Sequence, residues 1–349
     1  MAKGRIGLDI GSTAVRAVEV TGGDPPSVVH AAQVPLPAGA VENGEVREPE
    51  LVAEALRELW QRGGFKSKRV YLGVGNQRVV VREIALPYLP EKELRASLGF
   101  QVQEFIPMPV EEAVLDYHPI GEYEQEDRRM LRMLLVAAQR SMVDLVVEAI
   151  RGAKLEPLGL DLIPFALVRS VGASDAGLDL EHGQVEEAIV DIGAHVTNIV
   201  VHARRETRFV RILPSGGRDI TVAIAGSAGI EDEVAERLKR GQEVENAPKP
   251  QEVRQAALQR AAAFVDEVRS SLEFYTAQAK EARIGRVKVT GGGSRLEGLF
   301  DLMRQRIPVP VEPGAVFTHI GHQLEEADVS AAEPLLAVAV GLGLPEEDA

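Results

Sequence analysis

Apolar and polar positions along the first 35 residues predict three successive β-strands. Ile6–Ile10, Ala14–Val20 and Val28–Pro35 are apolar runs rich in β-branched residues, and segments containing glycine, serine or proline separate them. Runs bounded in this way are typical of strands. Over Pro49–Arg62 the apolar spacing lengthens to three or four residues, which predicts an amphipathic helix. A buried strand is predicted next, at Val70–Gly75.

The following segment is predicted to form a unit of its own. Two prolines within Leu86–Pro90 interrupt regular structure before it. An acidic turn is expected at Gly121–Asp127. With a strand at Val80–Leu86, the element order is β-α-β-β-α-β, the split βαβ arrangement. The alternative is that these elements extend the main sheet. The predicted helices and strands are Glu91–Phe105, Val114–Ile120, Arg129–Ala138, Met142–Ala153 and Leu155–Asp161.

The second half of the chain repeats the opening pattern of strands. A helix at Pro164–Gly172 and a polar loop at Ser174–Gln184 precede it. Strands followed by helices, with candidate chemistry at the strand ends, indicate an α/β architecture. The predicted strands are Glu187–Ile192, Thr197–Ala203, Glu206–Leu213 and Arg286–Thr290, and the predicted helices are Ile220–Ala225, Glu231–Gly241, Gln251–Gln278, Leu296–Arg306 and Pro334–Gly341.

A repeated Asp-Ile-Gly sequence is the most informative motif. Asp9-Ile-Gly-Ser-Thr13 recurs as Asp191-Ile-Gly-Ala-His-Val-Thr197, and an apolar run precedes and follows each copy. A glycine turn between two apolar runs predicts a β-hairpin. Small residues in such a turn leave backbone N–H groups free to surround an anion. Two copies therefore predict a duplicated domain that holds one phosphate chain from both sides.

Two further glycine-rich segments follow the second hairpin. Ser215-Gly-Gly-Arg-Asp219 precedes a predicted helix, where N–H groups could receive phosphate; a simple helix N-cap is the alternative. Thr290-Gly-Gly-Gly-Ser294 follows a predicted strand. A base could lie flat against this backbone because glycine has no Cβ, whereas an ordinary turn is the alternative.

Composition narrows the functional classes. The net charge of −14 argues against nonspecific nucleic-acid binding and against electrostatic attachment to anionic lipid. The absence of cysteine excludes disulfides, thiolate metal sites and a cysteine nucleophile. No apolar run reaches the length of a membrane span, and Met1–Arg5 leads into the first strand without a signal peptide. We therefore expect a cytoplasmic protein with no direct membrane insertion.

In this order, the motifs resemble those of the actin, sugar-kinase and chaperone ATPase superfamily. Asp9–Thr13 resembles its first phosphate loop, Asp191–Thr197 its second, and Val289–Ser294 its adenosine motif. The resemblance implies a bilobed actin-like fold of duplicated ribonuclease H-like domains that binds ATP and Mg²⁺. The implied nucleotide-binding positions are Gly11, Ser12, Thr13, Gly193, Ala194, His195, Thr197, Gly216, Gly217, Glu236, Lys239, Gly291, Gly292, Gly293 and Ser294.

Different roles are expected within this set. The two hairpin turns would offer N–H and hydroxyl groups to the β- and γ-phosphates, whereas Glu236 and Lys239 would contact the ribose or base. The aspartates Asp9 and Asp191 would repel phosphate, so we expect them to hold Mg²⁺ through water. His195 stands where a small hydroxyl residue is common; it contributes either its backbone alone or, alternatively, a catalytic base. Hydrolysis, if any, should be slow, because no side chain is clearly placed to orient the attacking water.

Within the superfamily, nearly the whole chain resembles the PilM family of type IV pilus assembly proteins. The resemblance rests on Gly7–Gly11, Glu104–Pro109, Leu115–Tyr117 and Asp161–Ala166, and on an inserted subdomain, 1C, where PilM and the division protein FtsA carry theirs. It implies a first lobe whose subdomain 1A comprises residues 1–83 and 163–185, with 1C at 84–162. The second lobe, 186–349, would contain subdomains 2A and 2B, and its helix 334–343 would pack back on 1A.

The resemblance also implies a membrane-anchored partner. This is a PilN-like inner-membrane protein, whose short cytoplasmic N-terminal segment would place the chain at the inner face of the membrane. Other platform and motor components of a pilus or related secretion machine, and self-association, are implied as well, and nucleic acid is not. An extended apolar segment would fit a groove beside 1C. The residues expected there are Phe100, Phe105, Ile106 and Met108, which could alternatively be core residues of 1C.

Two other functions stay open at this stage. A filament-forming division protein like FtsA would need a C-terminal amphipathic helix for the membrane, and Gly341–Ala349 contains no basic, apolar-faced stretch. A small-molecule kinase of the same superfamily would need a substrate pocket with a catalytic base in the cleft, and the inserted subdomain would have no explanation.

Overall fold

The computed structural model describes residues 4–172, 185–245, 247–279 and 283–345. The expected polar loop Ser174–Gln184 lies outside these ranges. The described strands are β1 (Arg5–Ile10), β2 (Ala14–Thr21), β3 (Ser27–Pro35), β4 (Val41–Glu42), β5 (Glu45–Val46), β6 (Arg69–Val74), β7 (Val79–Pro87), β8 (Ala113–Gln125), β9 (Arg128–Gln139), β10 (Glu156–Leu162), β11 (Val185–Ile192), β12 (Thr197–Ala203), β13 (Glu206–Leu213), β14 (Arg283–Thr290), β15 (Val311–Pro313) and β16 (Gly321–His322).

The helices lie where apolar spacing predicts them, with some shifted ends. α1 begins at Pro49, where proline needs no hydrogen-bond partner, and is followed by Gly64 in the left-handed conformation. The described helices are α1 (Pro49–Gly63), α2 (Glu91–Gln101), α3 (Arg140–Gly152), α4 (Ile163–Val171), α5 (Gly217–Ala228), α6 (Asp232–Lys239), α7 (Pro250–Gln278), α8 (Leu299–Arg306) and α9 (Glu326–Gly343).

Two sheets, each containing one of the Asp-Ile-Gly hairpins, form the frame of the molecule. The first has six strands in the order β10-β6-β1-β2-β3-β16, and the second has five in the order β13-β12-β11-β14-β15. β1 pairs antiparallel with β2 and parallel with β6, just as β11 pairs antiparallel with β12 and parallel with β14. We refer to the six-stranded sheet with α1 and α3 as the first lobe, and to the five-stranded sheet with α5–α8 as the second lobe.

α4 and α9 lie between the two sheets and share one apolar core with them. Ile189 of β11 and Val18 of β2 belong to this core. The packing is close because small residues face each other: a Cβ on Gly341 would overlap the carbonyl oxygen of Ala166, and one on Gly7 would overlap that of Ala339. α9, which contains the expected helix 334–343, therefore packs directly on β1 and β2 as well as on α4.

The split βαβ arrangement predicted for 84–162 is wrong in its second part. β7, β8 and β9 form a separate three-stranded sheet in the order β7-β9-β8, and α2 packs on it around Leu94, Leu98 and Met133. β10, however, pairs with β6 in the six-stranded sheet, where Asp161 lies opposite Gly73. α3 packs beside α1 in the core of the first lobe. Of the elements in 84–162, only α3 and β10 therefore follow the alternative prediction, in which they belong to the main sheet and the helices packed on it.

The acidic turn predicted at Gly121–Asp127 is shorter than expected. β8 continues to Gln125, so only Glu126 and Asp127, both with positive φ, form the turn between β8 and β9. α2 ends at Gln101 rather than at Phe105. The sequence pattern also missed the small hairpin of β4 and β5, whose strands are too short to show alternation.

Candidate functional site

The two Asp-Ile-Gly hairpins have the same turn construction. The N–H of Gly11 donates to the carbonyl of Ala14 at 3.1 Å, and that of Gly193 donates to the carbonyl of Val196 at 2.9 Å. Within the described ranges, no backbone acceptor receives the N–H groups that follow each of these glycines. These N–H groups belong to Ser12, Thr13, Ala194 and His195, whose residues are half-buried or exposed. The turns can therefore donate to an anion, as the sequence predicts.

Four polar side chains meet at the base of the hairpins. Asp9 lies opposite Arg16 in the register of β1 and β2, and Asp191 lies opposite Asn198 in that of β11 and β12. The Arg16 guanidinium donates to Asp9 Oδ2 at 3.2 Å, and both side chains are largely buried. Each hairpin thus combines an aspartate with a hydrogen-bonding side chain seven positions later.

The electrostatics of this cluster favour a cation. Burial raises the pKa of Asp9, although Arg16 opposes the effect. Burial and, next, the charge of Asp9 raise the pKa of Asp191 to about 7, while Arg16 and a hydrogen bond from Asn198 lower it. Two buried carboxylates that repel each other are stabilised by a nearby positive charge. The Oδ1 atom of Asn198 is buried without a hydrogen-bond partner, so the cluster also offers an unused acceptor.

Arg16 and Asn198 are the residues of this cluster that the sequence analysis missed. A signal was present, because both stand seven positions after the aspartate of their hairpin. Antiparallel pairing across a tight turn places such a residue directly opposite the aspartate. Their side chains differ in type, however, and a comparison of motif letters alone does not align an arginine with an asparagine.

The segment Ser215–Asp219 supports the second hairpin instead of offering N–H groups to phosphate. The N–H of Gly216 donates to Asp219 Oδ2 at 3.0 Å. Those of Gly217 and Arg218 donate to the carbonyls of Gly193 and Ala194, at 3.0 and 2.7 Å. The prediction of free donors at Gly216 and Gly217 is therefore wrong, and the N-cap alternative is closer. The hydroxyl of Thr197 likewise donates to the carbonyl of Ser215, at 2.7 Å.

Glu236 and Lys239 form an ion pair that anchors the start of α5. Lys239 Nζ donates to the Gly217 carbonyl and to Thr221 Oγ1, both at 2.8 Å, and contacts Glu236 Oε2 at 2.6 Å. Burial lowers the Lys239 pKa, whereas hydrogen bonds from Lys239 and Thr221 lower that of Glu236 against the opposing effect of burial. All three Lys239 donors are in use here, and both carboxylate oxygens of the part-exposed Glu236 also have partners.

The glycine triplet lies against the second hairpin. A Cβ on Gly291, whose φ is +85°, would come within 2.5 Å of Asp191 Oδ1, and one on Gly293 would overlap Ile192. Gly292 is exposed and has only the flexible end of Leu335 nearby, at 3.3 Å from an ideal Cβ. Ser294 is buried, and its hydroxyl donates to the Gly291 carbonyl at 2.7 Å. Gly292 is therefore the glycine of the triplet whose bare backbone is exposed.

His195 lies in the second turn, whereas the predicted partner-binding residues lie elsewhere. His195 accepts a hydrogen bond at Nδ1 from the N–H of Asn43, at 3.1 Å. In the three-stranded unit, Phe100 is 84% exposed, and Phe105 and Met108 are half-buried against the core. Ile106 is buried in that core, so it agrees with the core alternative rather than with a surface groove.

Neither a self-sufficient metal site nor a membrane span is found in the described parts of the chain. No cluster there contains three or more acidic or histidine side chains suited to holding a metal ion. The described helices are all too short or too polar to cross a bilayer. With only two carboxylates in the cluster, a divalent ion would need other ligands such as water and phosphate.

Comparisons with known proteins bear on the family and the fold of the chain. A family model described as type IV pilus assembly protein PilM matches residues 7–347. The solved structure of a PilM–PilN type IV pilus biogenesis complex is 31% identical and covers 97% of this chain and 97% of its own, with a TM-score of 0.85. Crystalline MreB5 of Spiroplasma citri bound to AMPPNP is 13% identical and covers 98% of this chain and 95% of its own, with a TM-score of 0.53.

Cell division protein FtsA of Bacillus subtilis is a more distant relative in sequence. It is 22% identical over 259 residues, which make up 67% of this chain and 57% of FtsA. The match therefore spans little more than half of that protein. Together, the structural likenesses confirm the predicted actin-like ATPase fold.

Proposed function

The chain belongs to the family of type IV pilus assembly proteins PilM, and from this premise we propose that it is a cytoplasmic, ATP-binding adaptor of the assembly platform. In this proposal it binds Mg²⁺ and ATP between its two hairpins. It also holds the N-terminal segment of a PilN-like inner-membrane protein, which keeps it at the inner face of the membrane.

The paired aspartates are the observation on which the nucleotide proposal rests. Asp9 and Asp191 come from separate sheets, yet they lie close enough for the charge of Asp9 to raise the pKa of Asp191. Mg²⁺, when bound, supplies the positive charge that neutralises phosphate oxygens. The two aspartates would hold it through water, while the free N–H groups of both turns donate to the phosphates. Arg16, which keeps Asp9 in place, adds a permanent positive charge.

Slow hydrolysis is part of the proposal. Efficient phosphoryl transfer needs a side chain that orients the attacking water. The candidates nearest the second hairpin already have partners: Thr197 bonds Ser215, Lys239 bonds Gly217, and His195 accepts from Asn43. The protein would therefore act chiefly through its nucleotide-bound state.

We expect Gly292→Val to weaken ATP binding at least about tenfold while the protein stays folded. The valine methyl groups would occupy the bare surface where the adenine has to lie, and the loss corresponds to about 1.4 kcal/mol. Gly292 is exposed and leaves room for a side chain. The measurement is titration calorimetry with ATP and Mg²⁺. Gly226→Val is the matched control, because open space surrounds Gly226 in α5. Equal ATP affinities for the two variants would contradict the placement of the adenine at Gly292.

The partner proposal rests on the related PilM, whose solved complex contains PilN. A short apolar segment binds well where main-chain bonds and side-chain pockets act together. Phe100 protrudes from α2, and Met108, beyond the end of that helix, can adapt to a varied ligand. We place the segment along this side of the three-stranded unit.

For a fluorescent peptide of the first dozen or so residues of the PilN-like neighbour, we expect saturable binding that Phe100→Ala weakens about tenfold. Truncation of an exposed aromatic that becomes buried in an interface typically costs more than about 1 kcal/mol. Fluorescence anisotropy, with and without ATP, measures the affinity. Val222→Ala is the control, since Val222 is 50% exposed but lies on α5. Absence of saturable binding would contradict the adaptor function. Equal binding by both variants would contradict only the placement of the peptide beside Phe100.

A further inference from the structure

A small hairpin of the first lobe crosses the cleft beside the phosphate turns. β4 and β5 are joined by Asn43 and Gly44, with φ of 53° and 73°. The N–H of Asn43 donates to His195 Nδ1, in the second phosphate turn, at 3.1 Å. An ideal Cβ on Gly44 would lie 3.4 Å from Val196 Cγ2. The tip of this hairpin therefore contacts the turn whose own N–H groups are free to receive an anion.

The hairpin itself is fixed firmly to the first lobe. Asn76 Nδ2 donates to the Gly44 carbonyl at 2.8 Å, and Asn76 Oδ1 accepts from the N–H of Arg78 at 2.9 Å. Arg78 Nε in turn donates to Glu45 Oε1 at 3.1 Å. Because Gly44 and Glu45 are held to the first lobe in this way, opening of the cleft has to separate Asn43 from His195.

The acceptor role of His195 requires a neutral imidazole, since both ring nitrogens of a protonated histidine are donors. Burial and, next, the charge of Arg218 on α5 lower the His195 pKa, whereas Glu42 on β4 and Asp219 on α5 raise it. A group whose pKa is lowered in the closed state stabilises that state above its ordinary pKa and stops doing so as the pH falls. Contact between Asn43 and His195 should therefore weaken below about pH 6.5.

We propose that the hydrogen bond from Asn43 to His195 is a latch that holds the two lobes together at the phosphate end of the cleft and limits nucleotide exchange. The proposal has two parts. The first, that the latch holds the lobes together, does not depend on nucleotide; the second, that it limits nucleotide exchange (the exchange half), rests on the proposed ATP binding. The His195 side chain acts as a positioning group here, because its ring bonds Asn43 of the other lobe, whereas the backbone N–H of His195 belongs to the phosphate turn itself.

The first test needs no nucleotide. The chain has no cysteine, so Glu54→Cys on α1 and Glu233→Cys on α6, both at exposed positions, give one specific label pair across the lobes. Electron–electron double resonance measures the distribution of distances between the two spin labels. At pH 8 this distribution should become broader or shift to longer distances in His195→Ala. His195→Asn should keep the narrow distribution, because its side-chain oxygen can replace Nδ1 as acceptor. Identical distributions for His195→Ala and the unaltered protein would overturn the latch.

The second test measures dissociation of a fluorescent ATP analogue by stopped flow. At pH 8, His195→Ala should release it about five times faster than the unaltered protein, the factor expected for one net hydrogen bond. Between pH 8 and pH 5.5, release should accelerate more in the unaltered protein than in His195→Asn, in which only the protonation of Asp191, whose pKa is about 7, still contributes. A pH dependence in His195→Asn equal to that of the unaltered protein would overturn the role of His195 protonation.

The two tests separate the possible failures. If the analogue does not bind at all, the proposed nucleotide function fails, while the label distances still decide for or against the latch. If the analogue binds and the distances change in His195→Ala but the release rate does not, the latch closes the lobes without limiting exchange, and the exchange half is contradicted.

Discussion

Asp191→Asn is expected to stabilise the nucleotide-free protein above pH 7 by roughly 2–4 kcal/mol while nearly abolishing Mg²⁺-dependent ATP binding. Burial and the neighbouring Asp9 raise the Asp191 pKa from 3.8 to about 7. A shift of about three units corresponds to about 4 kcal/mol at most. Asparagine is isosteric and uncharged, so it removes the cost of a buried carboxylate. The lower limit of the expected range applies if the new asparagine forms a weaker hydrogen bond with Asn198 than the aspartate does.

The sign follows from proton binding. Because the native pKa is raised, native Asp191 keeps its proton at pH values where the unfolded chain has lost it. Its contribution to stability is therefore fully present below pH 3.8 and is lost as the pH rises through 7. The stability difference between Asp191→Asn and the unaltered protein should grow by about 1.4 kcal/mol per pH unit up to pH 7 and then level off.

Urea unfolding in the presence of a chelator, at pH 5, 6, 7 and 8, measures this difference. Asp9→Asn is the comparison variant, because it removes the charge that is the second cause of the shift while Asp191 itself remains. In that variant the pH dependence caused by Asp191 should persist but be smaller. A constant difference between Asp191→Asn and the unaltered protein from pH 5 to pH 8 would show that Asp191 is not perturbed.

The same variant tests the metal role. Calorimetry with ATP should show a loss of affinity of at least about a hundredfold, on the order of 3 kcal/mol, when Mg²⁺ is present and a much smaller loss when it is chelated. A protein that becomes more stable and less able to bind its ligand is the expected behaviour of a residue retained for function. Unchanged affinity in Mg²⁺ would contradict the assignment of Asp191.

Gly341→Ala is the second substitution for which we expect a large effect. A Cβ at this position would overlap the backbone carbonyl oxygen of Ala166, where α9 crosses α4. Neither backbone can move without opening the core between the two sheets. Overpacking of such a contact typically costs about 1–3 kcal/mol and more where backbone has to shift. We expect a loss of about 3 kcal/mol or more.

Gly226→Ala is the control, for which we expect an increase in stability instead of a loss. Gly226 lies in α5, with nothing within 4 Å of an added Cβ, so alanine should stabilise that helix by about 0.5–1 kcal/mol. Thermal unfolding followed by circular dichroism compares the two. If Gly341→Ala does not fold, the same argument can be tested with Gly7→Ala at the same interface. The soluble yields of both variants should then fall below that of Gly226→Ala. A melting temperature of Gly341→Ala equal to that of Gly226→Ala would contradict the packing argument.

Several parts of the fold could be predicted because they depend on neighbouring residues in the chain. The hairpins around Asp9 and Asp191 are apolar runs joined by tight turns, and the structure contains both with matching pairing. α1 and α7 are long enough for their apolar spacing to be unmistakable. The family resemblance came from the same local motifs, and the comparisons confirm it.

The errors share one physical origin. The sequence pattern of β10 predicts a strand, but nothing in it distinguishes β6 from β7 as its neighbour. In the same way, Ser215–Asp219 has the composition of a phosphate-binding loop, yet the N–H groups of Gly217 and Arg218 donate to carbonyls of the adjacent hairpin, and that of Gly216 donates to the Asp219 side chain. Whether a donor is free depends on what packs beside it, and that information is distributed over distant parts of the chain.

By itself, the sequence determined most of the longer elements, the duplication and the paired aspartates, because each depends on spacing over a few residues. Only the tertiary structure decided that Asp9 and Asp191 share one buried cluster with Arg16 and Asn198, and that β10 belongs to the six-stranded sheet. It also decided that Asn43 meets His195 across the cleft. The physical reason is that burial, charge interaction and hydrogen-bond occupancy depend on distances between groups far apart in the chain, which the packing of α4 and α9 between the sheets sets.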